Sequence, residues 1–390
     1  MDQSKLWTIL YVALTFALAW CAEPGTFDQS LVDLRVYYQA AQLVAAGLNP
    51  YEAPLVTNYS EHPLPPLPYI YPPLLASTLS FFVKLPFDQI ARLWTIGSIV
   101  SLSGGVWFLL KMVSPASLRS GGATVALLGL LIFPPVLDGL ALGQVDAFIF
   151  LLLAVAGWCL TSRQEILLGV TLAVAAGIKI IPILFILILL RYQLWTSVVA
   201  WCLTSFITFI LSGFTSRGWQ LWLDFLASSI KHPPEPRAFA MALNNYSLGH
   251  FLITSAPQLS PIIAWLIAAG CGALLALWLV LRVTIRRGID SKQVYSAMVC
   301  AMLISSPCAW FHHLIWLAVP LAVAWHSRSC ITAARPLTIA CALVLGISFP
   351  LDSYLEHLDV SQAIVMWVRL GVVMLPTVVL CWLSTRPRHL

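Results

Sequence analysis

Apolar runs that are candidate membrane spans, several of them short, recur along this sequence at 6–22, 69–85, 94–110, 123–142, 146–160, 166–190, 194–213, 259–281, 293–307, 311–325, 336–350 and 361–383. A helix needs roughly 20 apolar residues to cross a bilayer, or about 17 at the short end. The 390 residues are 60% hydrophobic and 9% charged, with mean hydropathy +0.88. A soluble domain carries about 25% charged residues, so this chain has too little polar surface to enclose its apolar mass in water. In lipid each backbone polar group must be satisfied within the structure, and continuous apolar runs do this as helices. The expected fold is an all-α integral membrane bundle of about 12 spans. Residues 1–390 are expected to form a single transmembrane domain.

The net charge of +5 is dispersed, and no basic run or aromatic-interleaved basic patch points to nucleic acid. The nine Cys form no CxxC pair and lie mostly in apolar runs, where they read as small core residues. Residues 1–22 have the outline of a signal peptide: Lys5, an apolar run, then Ala17-Leu18-Ala19. The run is long for that role and Trp20-Cys21 follow it, so retention as a span is expected.

Two long polar segments, 23–68 and 214–258, interrupt the apolar pattern. Arg386 and Arg388 put the C-terminus in the cytoplasm by the positive-inside rule. Counting back from there places both segments outside and Lys111, Arg119, Arg163 and Arg191 inside. Two irregularities follow. Gly177-Ile178-Lys179-Ile180-Ile181-Pro182 is expected to break 166–190 into two short helices with Lys179 near their outer tip. The sides also agree only if 69–85, which opens with Tyr71-Pro72, is a re-entrant or surface helix.

Polar residues gather at the outer tips. A helix is expected over 31–46, with Leu31, Leu34, Tyr38, Ala41 and Ala45 on one side and Gly47 ending it. Asp33 stands at its start, where the helix dipole favours a carboxylate whether or not it does chemistry. Gln144 and Asp146, in Gly143-Gln144-Val145-Asp146, read either as a cavity-lining pair or as a solvated turn that starts the next helix. Lys179 and Arg369 each lie in an apolar run, where a cation costs about 2.5–3.5 kcal/mol at mid-span. A lipid phosphate would offset that cost. So would pairing of Lys179 with Asp138 or Asp146, or snorkelling to the interface. His312 and His313 close the tip that begins Ser306-Pro307 and can accept protons near neutral pH. Asn245 and Ser247, in the second long segment, suit sugar hydroxyls and ordinary turns equally. No zinc-type spacing, phosphate-binding glycine loop or nucleotide-binding fingerprint occurs, so neither cofactor nor metal is expected.

In their order, these stretches resemble the polyprenyl-phosphate-dependent glycosyltransferases of the GT-C class, and within it glycosyltransferase family 87. The resemblance rests on Asp33…Tyr37-Tyr38…Ala41…Gly47…Asn49-Pro50-Tyr51, on Tyr71-Pro72 with Leu85-Pro86, and on Gly143-Gln144-Val145-Asp146. It continues through Gly169…Gly177-Ile178-Lys179…Pro182, Asn245…Ser247-Leu248 and Ser306-Pro307…Trp310…His312-His313. It implies a GT-C bundle with an outward catalytic cavity and a long first outer loop. It also implies transfer of a hexose, often mannose, from a polyprenyl phosphate to a lipid or glycan acceptor. Asp33 matches the family's first-loop carboxylate, and His312 or His313 competes with it for the role of base. Tyr37, Tyr38, Gln144, Asp146, Lys179, Asn245, Ser247 and Arg369 would bind substrate. A lipid or solute transporter is the alternative, since broken helices and intramembrane charges suit one too. It predicts repeated halves and polar residues at mid-membrane, and no repeat is evident here.

Overall fold

The computed structural model describes residues 3–21, 31–52, 67–231, 247–256, 258–285, 290–306, 309–326, 340–344, 371, 376 and 378–379. Among them the chain is helical, with no strand. The candidate spans at 336–350 and 361–383 lie largely outside these residues, as do Asn245 and Arg369.

Helix α1 (Gln3–Cys21) packs along α4 (Phe87–Val113), and the Tyr11 hydroxyl donates to the Ser103 carbonyl at 2.6 Å. Both α4 and α10 (Trp195–Ser212) are long and apolar enough to cross a membrane. Helix α7 (Asp146–Ser162) lies against α4, where Gly97, Gly104 and Gly105 face Phe148, Leu151 and Phe150. Small residues let two helices approach closely enough for dispersion to hold them where lipid supplies no hydrophobic drive.

The run 123–142 differs from the straight span expected. It forms α5 (Gly122–Leu131) and α6 (Pro134–Leu142), bent by 64°. Pro134 and Pro135 start α6, and Phe133 before them is extended, because a proline ring disfavours helical geometry in its predecessor. The run 166–190 breaks as expected. Helix α8 (Glu165–Ile178) stops, Lys179 is extended, and a 3-10 turn (Ile181–Phe185) leads into α9 (Ile186–Arg191). The run 69–85 contains only α3 (Pro73–Ser80), eight residues or about 12 Å, too short for the ~30 Å hydrocarbon core.

The first polar segment carries α2 (Val32–Ala45), ended at Gly47 in the left-handed region with φ 75°. Its buried face holds Leu34, Tyr37, Ala41 and Val44. That is about one residue round from the expected stripe, so Tyr37 points inward and Tyr38 sits at the margin. The second polar segment carries α11 (Gln220–Lys231) and α12 (Leu248–Ser255). Arg217, just before α11, pairs with Asp224 at 2.7 Å and donates to the Gly47 carbonyl, which ties the two segments together. Then come α13 (Pro261–Ile285), the buried α14 (Ser291–Ile304), a 3-10 turn (Phe311–Leu317) and α15 (Ala318–His326).

Gly169 marks the crossing of α8 and α10. A Cβ there would collide with the Ser197 carbonyl oxygen and crowd Ala200. Backbone cannot step aside as a side chain can. Gly169→Val should therefore destabilise the bundle by about 1–3 kcal/mol. Gly129, with open space where a Cβ would sit, should accept Ala without loss. Thermal unfolding of the two variants in detergent measures the contrast.

Candidate active site

Two groups of side chains meet where α2, α6, α7, the α8 break and the Phe311–Leu317 turn converge. Gln144 organises the first. Gly143 ends α6 in the left-handed region, and a Cβ on it would meet the Leu34 side chain at 2.7 Å. The glycine thus both turns the chain and admits α2. The Leu31 amide completes the join by donating to the Ala141 carbonyl at 3.2 Å. So placed, the Gln144 amide nitrogen donates to Asp33 Oδ2 at 2.7 Å. Its oxygen accepts from the hydroxyls of Tyr37 at 2.8 Å and Tyr71 at 3.1 Å.

Enclosure by protein pushes Asp33 up to about 6. His312, the Gln144 hydrogen bond and Lys179 hold it from rising further, while Asp138 adds to the rise. The environment favours the neutral acid, yet near neutral pH the carboxylate predominates. A group with these properties suits proton abstraction.

Lys179 organises the second group. Its ammonium donates to Asp146 Oδ1 at 3.0 Å and lies 2.7 Å from His313 Nε2. It also lies 5.7 Å from the Tyr71 ring centre and 5.2 Å from that of Trp316. The pairing with Asp146 is one of the alternatives left open by the sequence. Tyr71 joins the two groups, with its hydroxyl on Gln144 and its ring over Lys179.

The histidines divide. His313 has Nε2 against the ammonium and its ring stacked on Trp316 at 4.7 Å. His312 has Nδ1 3.2 Å from Asp138 Oδ2 and Nε2 3.6 Å from Asp146 Oδ2. That nitrogen and that oxygen are buried and make no hydrogen bond. Gln144, Asp146, His312 and Gly139 line one small void. Buried polar atoms left open beside a void suit a ligand that brings its own donors and acceptors.

Asp146, His312 and His313 bring ligating atoms within 4.8 Å of one another, near enough to share a cation. The Lys179 ammonium already meets one oxygen of Asp146 and Nε2 of His313, so an internal cation stands there.

The structure thus brings together Asp33, Tyr37, Gln144, Asp146, Lys179, His312 and His313. Tyr38 is turned away, its hydroxyl donating to the carbonyls of Leu85 at 2.7 Å and Val83 at 3.1 Å. Ser247 is buried just before α12. Asn245 and Arg369 fall outside the described residues. Asp138 and Tyr71 belong to the cluster, although the sequence reading did not place them in the site. Asp138 carried the usual signal of a carboxylate inside an apolar run.

A profile described as glycosyltransferase family 87 matches residues 69–307, which include Tyr71, Asp138, Gln144, Asp146 and Lys179. One relative is a polyprenol-phosphate-mannose-dependent alpha-(1-2)-phosphatidylinositol pentamannoside mannosyltransferase of Mycolicibacterium smegmatis. It is 27% identical over 340 residues, 84% of this chain and 76% of the relative. Another is a polyprenol-phosphate-mannose-dependent alpha-(1-2)-phosphatidylinositol mannoside mannosyltransferase of Mycobacterium tuberculosis. It is 23% identical over 399 residues, 95% of this chain and 88% of the relative. With a profile matching more than half its length, the chain belongs to glycosyltransferase family 87.

Proposed function

We propose that this protein transfers mannose from a polyprenyl phosphate to a lipid-borne acceptor at the outer face of a bacterial plasma membrane, with the C-terminus in the cytoplasm. Family membership supports the reaction class, and the relatives' donors and acceptors support the substrates. The observation that carries the mechanism is that Gln144 and Tyr71 join the Asp33 carboxylate to the buried group of Lys179, Asp146, His312 and His313.

The acceptor hydroxyl attacks the anomeric carbon as Asp33 takes its proton. The bond from that carbon to the phosphate oxygen breaks, and the electron pair leaves on polyprenyl phosphate. One displacement inverts the anomeric centre. Lys179 and the Nε2 side of His312 face the charge gained by the departing phosphate, where fixed donors in a dry site act most strongly. Tyr37 and Tyr71 hold Gln144, which holds Asp33. Of the three candidate bases this reading assigns the role to Asp33, since His313 Nε2 is held 2.7 Å from the ammonium and His312 is given to the phosphate.

The test is transfer by purified protein from polyprenyl-phosphate mannose to glycolipid acceptors. Asp33→Asn should reduce kcat at least a hundredfold, on the scale of general-base losses. Undiminished transfer by that variant would remove Asp33 as base.

A second prediction concerns pH. Asp33 is proton-free above about 6, so kcat/KM should fall as pH drops through about 6. The Gln144 hydrogen bond lowers that pKa. Gln144→Leu should therefore move the acid limb to higher pH, as well as lowering the maximum rate. A pH–rate series on the two proteins measures both effects.

A further inference from the structure

Asp138 lies in α6, against Nδ1 of the His312 ring. The bend at Phe133 sets the direction of α6, and Gly139 lets its backbone come close: a Cβ there would stand 3.4 Å from the His312 Cβ. This approach seats Asp138 Oδ2 at 3.2 Å from His312 Nδ1. The other nitrogen, Nε2, is buried without a hydrogen bond and looks toward Asp146 Oδ2, which is likewise unsatisfied. A carboxylate on one imidazole nitrogen fixes the ring's rotation and places a proton on that nitrogen, which leaves the opposite nitrogen for chemistry. The groups around the ring are Asp138 from α6, Asp146 from α7, Lys179 from the α8 break, Asp33 from α2 and the neighbouring His313.

We propose that Asp138 is a positioning residue for mannosyl transfer. It accepts a hydrogen bond from His312 Nδ1–H and so turns Nε2 toward the donor phosphate. When the ring is doubly protonated, Nδ1–H stays on Asp138 and Nε2–H is presented to the phosphate oxygen. Asp138 touches no substrate and acts only through His312. This inference rests on the proposed reading of His312 as a group facing the phosphate.

The test is a double-mutant cycle on the full-length protein in detergent. It assays kcat for wild type, Asp138→Asn, His312→Ala and the double variant, with polyprenyl-phosphate mannose as donor. Asp138→Asn should lower kcat tenfold or more. Adding it to His312→Ala should cost nothing further, because a positioning residue has no work once its partner is gone. Asp138→Glu, which keeps a carboxylate, should recover part of the loss. Losses that multiply in the double variant, or full activity in Asp138→Asn with His312→Ala crippled, would overturn the assignment of Asp138 alone. Full activity in His312→Ala would overturn the role of His312 itself. Should Asp138→Asn not purify as a monodisperse protein, Asp138→Glu carries the same cycle, with the same non-additivity expected and the same multiplied losses overturning it.

Discussion

A cation inside an apolar bundle needs a partner, and Lys179 needs one because it sits at 8% exposure. Asp146 supplies the carboxylate, and His313 Nε2 stands 2.7 Å from the ammonium. Meeting that need constrains much of the fold. Helix α8 must stop at Ile178 so that Lys179 can run extended beside the start of α7. The 3-10 turn at Phe311–Leu317 must bring His313 within 2.7 Å while Trp316 closes against the same ring. Removing one member of such a group leaves an uncompensated buried charge, which is why breaking buried pairs is costly even where the intact pair contributes little net stability.

The second constraint is a neutral amide. Gln144 has a nitrogen that only donates and an oxygen that only accepts, and its partners match: Asp33 receives, Tyr37 and Tyr71 give. This matching ties the first polar segment to the bundle without another charge. It explains why Gly143 precedes it, since any side chain there would hold α2 away from α6. It also leaves Asp33 one strong donor, enough to fix its geometry and too few to pull its pKa to ordinary carboxylate values.

What the sequence made legible follows from the range of each effect. The break at Lys179 could be read because both its causes, a proline and a charge in an apolar run, are local. The short α3 could be read from the need for the sides of the membrane to agree. The exchange of Tyr37 for Tyr38 could not, because a 100° turn about the α2 axis depends on where Gly143 lets that helix land. The difference between His312 and His313 was hidden for a similar reason. Adjacent residues on a tight turn face different ways, and only α6 and the α8 break decide which ring meets Asp138 and which meets Lys179. The role of Asp138 depended in turn on the 64° bend, and that bend was concealed by reading 123–142 as one span.

On the proposed reading, the Lys179–Asp146 pair also meets a need that a phosphate site inside an apolar bundle creates. A pocket built for a lipid phosphate needs a cation, and a cation without its ligand would stand unpaired among Trp316, Tyr71 and apolar helix faces. Asp146 meets this need at rest. When the donor enters, its phosphate brings an anion to a place already occupied by one. Contact with Lys179 can then pass between carboxylate and phosphate with no new unpaired cation at any stage. The Asp146 oxygen that makes no hydrogen bond lies 3.6 Å from His312 Nε2. Binding then becomes an exchange of anions within a fixed frame, which suits an enzyme whose substrates arrive through the bilayer.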